Sequence, residues 1–188
     1  PGDRAAQRAR MGLTGVVLLA VGNLVALKGH QIVLRALCDF PQASLLIIGE
    51  GGEEQKLKQL ARALEIQDRV RFLGAMPQQK LPAYYAAADA LVLASSREGW
   101  PNVLLEAMAC GTPVVSARVG GTPEIVAAPE AGVLMTERSV HAMVDALNRL
   151  FANYPDRSLT RRYAERFSWD DTTRGQLALF DRILRGAA

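Results

Sequence analysis

Two glutamates between Arg97 and Val115 have the spacing and surroundings of chemically active groups. The stretch reads Arg-Glu-Gly-Trp-Pro-Asn-Val-Leu-Leu-Glu-Ala-Met-Ala-Cys-Gly-Thr-Pro-Val-Val, which contains Glu98 and Glu106. Glu106 is the only charged residue between Val103 and Cys110. A carboxylate among apolar side chains is costly unless hydrogen-bond donors meet it. The paired hydroxyls of a ribose are suitable donors, so Glu106 is a candidate ligand contact. An exposed helix acid is the alternative.

A candidate phosphate contact follows the first predicted strand. Residues 21–30 read Val-Gly-Asn-Leu-Val-Ala-Leu-Lys-Gly-His, and this pattern predicts that Lys28 stands where the first helix opens. A lysine at a helix N-terminus adds a point charge to the helix dipole, which favours a phosphate. For this motif alone, a solvated surface lysine is an equally good interpretation.

Motifs for several other chemistries are absent from the sequence. No GxGxxG dinucleotide fingerprint follows the first predicted strand, and no Walker A lysine motif or GxSxG elbow occurs. No Asp-x-Asp pair is present to clamp a metal and a diphosphate, and His30 and His141 lack metal-ligand spacing. These absences disfavour a Rossmann oxidoreductase, a P-loop enzyme, a GxSxG hydrolase and a metal site.

The elements that must position these groups alternate between apolar runs and helical patterns. Strands are predicted at Val16–Val21, Leu45–Ile48, Val70–Leu73, Ala90–Ala94, Val114–Ser116 and Gly132–Met135. Helices are predicted at about Gly29–Asp39, Glu53–Glu65, Gln79–Ala88, Pro101–Ala109, Pro123–Ala127, Val140–Phe151, Leu159–Phe167 and Trp169–Leu184. This alternation predicts an α/β fold with a Rossmann-like parallel sheet and helices on both faces. Such sheets bind ligands beyond the carboxyl ends of their strands, where both motifs fall.

The composition is that of a globular domain without an extreme charge. The chain is 49% hydrophobic and 22% charged, with a formal net charge of +3. Basic residues are densest from Arg4 to Arg10 and from Arg157 to Arg166, without the interleaved aromatics that stack bases. We therefore expect no nucleic-acid partner and interpret both stretches as solvated, with weak attraction to an anionic membrane surface as the alternative.

The two cysteines, Cys38 and Cys110, lie within apolar helical patterns and are not spaced as a metal site. This placement predicts buried free thiols in a reducing compartment.

Taken together and in order, the motifs resemble the C-terminal domain of the retaining family 4 glycosyltransferases of the GT-B fold, which include mannosyl- and glucosyltransferases. The resemblance runs from about Leu13 to Leu184. The matching segments are the loop 22–29, Ile48–Gly51, Val70–Gly74, Ala88–Ala90, Glu98 with Glu106, Cys110–Pro113, Gly120–Glu124 and Phe167–Trp169.

The resemblance implies roles for individual residues. Glu98 and Lys28 are the expected catalytic residues, with Glu98 on hydroxyls of the donor sugar and Lys28 on the diphosphate. Glu106 is expected to hold the ribose hydroxyls. The other expected donor-binding residues are Gly22, Asn23, Gly74, Ala75, Met76, Gly99, Trp100, Pro101, Asn102 and Val103. Residues 74–76 would border the base, and the backbone of 100–103 would face phosphate and sugar.

The resemblance also implies a substrate class and partners. The donor would be a UDP-, GDP- or ADP-sugar, with no metal or other cofactor. Sugar would pass with retention to an acceptor, which a missing N-terminal domain would bind. Many relatives carry Arg where this chain has Asn23, so the diphosphate is expected to depend more heavily on Lys28.

The expected organisation follows from the same resemblance. Residues 1–14 would be a linker from that acceptor domain, and residues 15–188 the donor-binding domain with C-terminal helices, inactive as a transferase by itself. The expected location is cytoplasmic, with peripheral membrane association of the full-length protein as the alternative. Two alternatives for the function are a nucleotide-sugar-binding module and a GT-B epimerase without transferase activity.

Overall fold

The computed structural model describes residues 3–186 of the chain, and its centre is one six-stranded parallel sheet. The strands are β1 Val16–Val21, β2 Ala43–Ile48, β3 Val70–Phe72, β4 Ala90–Leu93, β5 Val114–Ser116 and β6 Gly132–Leu134. The helices are α1 Arg4–Met11, α2 His30–Ala36, α3 Glu54–Ala63, α4 Leu81–Ala87, α5 Asn102–Ala109, α6 Thr122–Ile125, α7 Val140–Ala152, α8 Arg157–Ala164 and α9 Trp169–Leu184.

The strand order, β3-β2-β1-β4-β5-β6, confirms the predicted α/β fold. The chain builds outward from β1 to β3, then crosses back to place β4 on the other side of β1. The boundary between β1 and β4 is therefore the topological switch point, where loops leave in opposite directions and open a crevice.

Helices cover both faces of the sheet because the central strands are buried on both sides. Along β1, Leu18 and Ala20 join the core beneath α2, α3 and α7, whereas Val17, Leu19 and Val21 join the core beneath α4, α5 and α8. This alternation is the period-2 geometry of a strand, and it explains why β1 is a continuous apolar run in the sequence.

Near α2, one prediction is refined and another is wrong. Lys28 belongs to a 3-10 turn, Ala26–Lys28, and directly precedes Gly29, the N-cap of α2, so it lies at the start of the first helix as predicted but not within it. A second 3-10 turn, Leu37–Asp39, continues α2 and leaves Cys38 exposed rather than buried. In 3-10 geometry the side chains at i and i+3 eclipse, so Leu37 continues the buried face of Leu34 and the next residue turns outward. Cys110 is partly buried, and both thiols are free.

The basic stretches are not merely solvated, which corrects the sequence-based interpretation. Arg4 and Arg8 of α1 pair with Asp89 at 2.5 and 3.1 Å. Arg157 is partly buried and donates hydrogen bonds to the carbonyl oxygens of Ala86 and Ala88. The last carbonyls of a helix have no intrahelical donor, and Arg157 supplies one at the end of α4.

The last helix, α9, exposes a set of large apolar side chains. They are Leu177, Leu179, Phe180, Ile183 and Leu184. Within residues 3–186, no helix has the length and apolar character needed to cross a membrane.

Candidate functional site

The candidate site lies at the switch point, where the loop after β1 meets the loop after β4. The backbone N–H of Ser96 donates to the carbonyl of Leu27 at 2.8 Å and joins the two loops directly. The sheet thus brings together two segments that are about seventy positions apart in the chain.

Lys28 and Glu98, both predicted as catalytic, are in direct contact. The Lys28 Nζ donates to the Glu98 Oε1 at 2.7 Å, and the two side chains are 23% and 10% exposed. The stem of Lys28 lies over Gly22, whose idealised Cβ would be 3.7 Å from the lysine Cε. The carboxylate therefore holds the ammonium group at the site.

The N-terminus of α5 faces the same crevice. Pro101 is the N-cap residue, and it provides no side-chain cap bond. Within residues 3–186, the backbone N–H groups of Asn102 and Val103 donate no hydrogen bond, whereas that of Leu104 donates to Pro101 at 3.0 Å. Free N–H groups and the helix dipole together attract an anion at this end.

Two consecutive glycines hold the loop that carries Glu98. The Gly121 N–H donates to the Gly99 carbonyl at 2.9 Å, and a Cβ on Gly120 would stand 1.8 Å from the Glu98 carbonyl oxygen. Gly120 also has a φ of +51°, in the left-handed region that favours glycine. A Cβ on Gly121 would come within 2.6 Å of the Trp100 ring. The close backbone approach explains why this site requires Gly120-Gly121.

Glu106 lies one helical turn beyond Asn102 on α5, where it is partly buried and has two hydrogen-bonding neighbours. Its Oε2 accepts a hydrogen bond from the Tyr85 hydroxyl at 2.7 Å, and its Oε1 is 3.5 Å from the Gln78 Nε2. Burial and the hydrogen bond to Glu106 raise the pKa of Tyr85, so the phenol stays protonated and is the donor. The carboxylate keeps capacity for further donors on Oε1.

The segment 74–76 reaches the site from the far side of the sheet. The Gly74 carbonyl accepts from the Gly49 N–H at 2.9 Å, which ties the loop after β3 to the loop after β2. Ala75 is exposed and Met76 is partly buried. Because β3 is two strands from β1, these residues are about 10 Å from the β1 loop.

The side chain of His30 supports the loop after β1 through a backbone carbonyl of that loop. It is buried, and its Nε2 lies 3.3 Å from the carbonyl oxygen of Asn23. Burial lowers the pKa of His30, so the ring is neutral at this position. The Asn23 side chain is exposed at the crevice.

The predicted residues thus lie along one edge of the sheet, in the loops after β1, β3 and β4 and on α5. The sequence did not indicate Tyr85, Gln78 or His30 as contributors. Tyr85 has the spacing of an ordinary core residue of α4. Only its contact with Glu106, on the adjacent helix α5, distinguishes it. Within residues 3–186, no group of three or more His, Cys, Asp or Glu side chains is arranged to hold a metal ion.

Comparisons with known proteins agree with this architecture. Residues 3–167 match the family model described as glycosyl transferases group 1. The D-inositol 3-phosphate glycosyltransferase of Mycobacterium leprae (strain Br4923) is 38% identical over 197 residues, covering 98% of this chain and 46% of that protein. The chain thus spans about half the length of the curated relatives it matches.

Solved structures show the same fold. The sucrose-phosphate synthase from Thermosynechococcus elongatus superimposes with a TM-score of 0.84 at 29% identity, over 97% of this chain and 49% of that one. Anabaena HepE in complex with UDP-glucose gives a TM-score of 0.78 at 28% identity, over 88% of this chain and 47% of that one.

Proposed function

The chain belongs to the group 1 glycosyl transferases, and we propose that it binds the nucleoside-diphosphate sugar from which the whole enzyme transfers a sugar, with retention, to an acceptor. The observation that carries this proposal is the contact of Lys28 with Glu98 beside the free N-terminus of α5. The Lys28 ammonium, the Glu98 carboxylate and the N–H groups of Asn102 and Val103, which donate no hydrogen bond within residues 3–186, come together at the switch point of the sheet.

This arrangement suits a sugar diphosphate. When the bond between sugar and phosphate breaks, negative charge grows on the leaving diphosphate. In this proposal Lys28 and the N–H groups of Asn102 and Val103 stabilise that charge, since preorganised positive groups of this kind lower a barrier efficiently. The Glu98 carboxylate, which accepts from Lys28 in the free protein, is placed to accept from sugar hydroxyls next to the same phosphate.

The other end of the crevice suits a nucleoside. Glu106 presents an oxygen toward incoming donors, and Gln78, which follows the segment 74–76 in the chain, lies beside it. Anabaena HepE, which shares this fold, has been solved with UDP-glucose, so a nucleotide sugar is a reasonable ligand for the corresponding edge here. UDP-, GDP- and ADP-sugars all carry the ribose diol that Glu106 would bind.

The finer parts of the proposal rest on the family resemblance. Retention is expected from the similarity of the Glu98 and Glu106 pair to that of retaining enzymes. Metal-independent transfer is expected because Lys28 and the α5 terminus supply positive potential at the diphosphate. The acceptor and any contact with a membrane belong to the whole protein and stay predictions.

Ligand-observed NMR with UDP, GDP and ADP at millimolar concentration tests the donor-binding role. We expect saturation transfer to at least one of these nucleotides, and we expect Lys28→Met to weaken that binding at least tenfold. Lys58→Met is the matched control, because Lys58 also forms an ion pair, with Glu54 on α3 at 2.6 Å. Absence of transfer to all three nucleotides, or an equal loss in both variants, would contradict the proposal.

A further inference from the structure

We propose that Tyr85 is a positioning residue, which holds the Glu106 carboxylate in the orientation that accepts a ribose diol. The inference rests on the proposed function and deepens it, because it assigns a second residue, from a different helix, to nucleoside recognition.

The Tyr85 side chain is almost fully enclosed. It is 1% exposed and belongs to the core between the sheet and the helices α4 and α5. Its backbone is fixed as well, since its carbonyl accepts from the Thr112 hydroxyl at 2.6 Å, and Thr112 in turn accepts from Arg157 at 2.7 Å. The phenol oxygen therefore emerges from the core at a point that the fold determines.

The contact with Glu106 is the one polar interaction that the buried phenol makes among the described residues. The Tyr85 O–H donates to Oε2 at 2.7 Å, a normal length for a strong hydrogen bond to a carboxylate. A glutamate has three rotatable side-chain bonds, and fixing them costs conformational entropy. The hydrogen bond from Tyr85 already restricts the Glu106 side chain, so part of this entropy is lost before a ligand binds.

The second carboxylate oxygen is much less constrained. Oε1 has the Gln78 Nε2 at 3.5 Å, the outer limit of a hydrogen bond, and Gln78 is exposed. Tyr85, Glu106 and Gln78 all line a cavity of about 230 Å³ between α4 and α5. One oxygen is therefore anchored to the core while the other stays available to a ligand hydroxyl.

The test is to remove the phenol oxygen and vary the ribose. Tyr85→Phe keeps the ring and deletes the donor. The probes are UDP, GDP and ADP together with their 2′,3′-dideoxy forms, and dissociation constants are measured by NMR or calorimetry. For whichever ribonucleotide binds, we expect Tyr85→Phe to lower the affinity by three- to tenfold. The affinity of its dideoxy form should change by less than twofold.

Tyr84→Phe is the matched control. Tyr84 is the neighbouring residue, it is partly buried, and its hydroxyl makes no hydrogen bond within residues 3–186. We expect Tyr84→Phe to bind the ribonucleotide and its dideoxy form with the same affinities as the unmodified chain. Thermal unfolding of both variants monitors the fold. Equal weakening of the ribose and dideoxy forms by Tyr85→Phe would show a merely structural role and overturn the proposal, as would no weakening at all.

Glu106→Gln separates this proposal from the one it rests on. If Glu106→Gln leaves ribonucleotide affinity unchanged, the ribose role of Glu106 fails, and the role of Tyr85 fails with it. If Glu106→Gln weakens binding but Tyr85→Phe does not, only the positioning role is wrong. The double variant is expected to be no weaker than Glu106→Gln alone, because both substitutions act on one contact.

Discussion

Replacing Glu98 with glutamine is expected to tighten the binding of a nucleoside diphosphate, although Glu98 is itself a predicted catalytic residue. In the free protein, the Glu98 carboxylate accepts from the Lys28 ammonium at 2.7 Å, with only 10% of the carboxylate side chain exposed. A diphosphate must compete with that carboxylate for the same cation, and the carboxylate's charge also repels it. Glutamine removes the charge and keeps the shape.

The expected magnitude follows from the loss of the ion pair. Glutamine can still accept a hydrogen bond from the Lys28 ammonium, so the change removes only the attraction between the two charges, which is about 0.2–1 kcal/mol for a pair in contact with solvent. Glutamine therefore holds Lys28 less strongly by up to about 1 kcal/mol, which corresponds to a gain of up to roughly fivefold in affinity for the diphosphate. For the nucleotide sugar we expect a smaller gain or a loss, because the sugar hydroxyls lose their acceptor.

The assay is calorimetry of UDP, GDP and ADP with Glu98→Gln, at low and high salt. The gain should shrink as salt rises, since the ion pair is partly exposed to solvent. Asp145→Asn is the charge-matched control, because Asp145 pairs with Arg149 at 3.0 Å on α7, outside the crevice. A fall in diphosphate affinity in Glu98→Gln, or an equal gain in Asp145→Asn, would refute the reasoning.

Three further predictions concern other parts of the site. Glu106→Gln should weaken every ribonucleoside diphosphate that binds by about 1.5–3 kcal/mol, and calorimetry showing unchanged affinity would exclude the ribose contact. Gly120→Ala should lower both the melting temperature and nucleotide affinity, because its Cβ would stand 1.8 Å from the Glu98 carbonyl; Gly52→Ala, where a Cβ meets nothing within 4 Å, should change neither. Burial holds the pKa of His30 below its ordinary 6.5, so the unfolded chain binds a proton below pH 6.5 that the native protein does not. The free energy of unfolding should thus fall as pH drops through 6.5, and His30→Gln should flatten that fall in urea titrations; an unchanged pH slope would count against it.

The fold was largely predictable from local pattern. A strand buried on both faces must be apolar throughout, so runs such as Val16–Val21 are visible without tertiary information. In helices the apolar residues recur at a longer period than in strands, so the two kinds of element are distinguishable in the sequence. Boundaries were less predictable, because 3-10 turns such as Ala26–Lys28 satisfy the same residue preferences as a helix start.

Motif order indicated most of the candidate site. Lys28 and Glu98 follow strands, and in a parallel sheet the loops after strands reach the same edge, whereas Glu106 lies on the helix that starts from that edge. The family resemblance then assigned each residue a role. The basic residues were predicted poorly, because an arginine that caps a helix end, as Arg157 does, has no local pattern distinct from that of a solvated one.

The sequence by itself therefore determined the alternation of strands and helices and the types of group available at the carboxyl edge. Only the tertiary structure decided which of those groups touch. Lys28 meets Glu98 across seventy positions because β4 crosses back to pair with β1. Tyr85 meets Glu106 because α4 and α5 pack on the same face. Residue periodicity reports which face of an element is buried, whereas contacts between elements depend on strand order and packing, which no local pattern encodes.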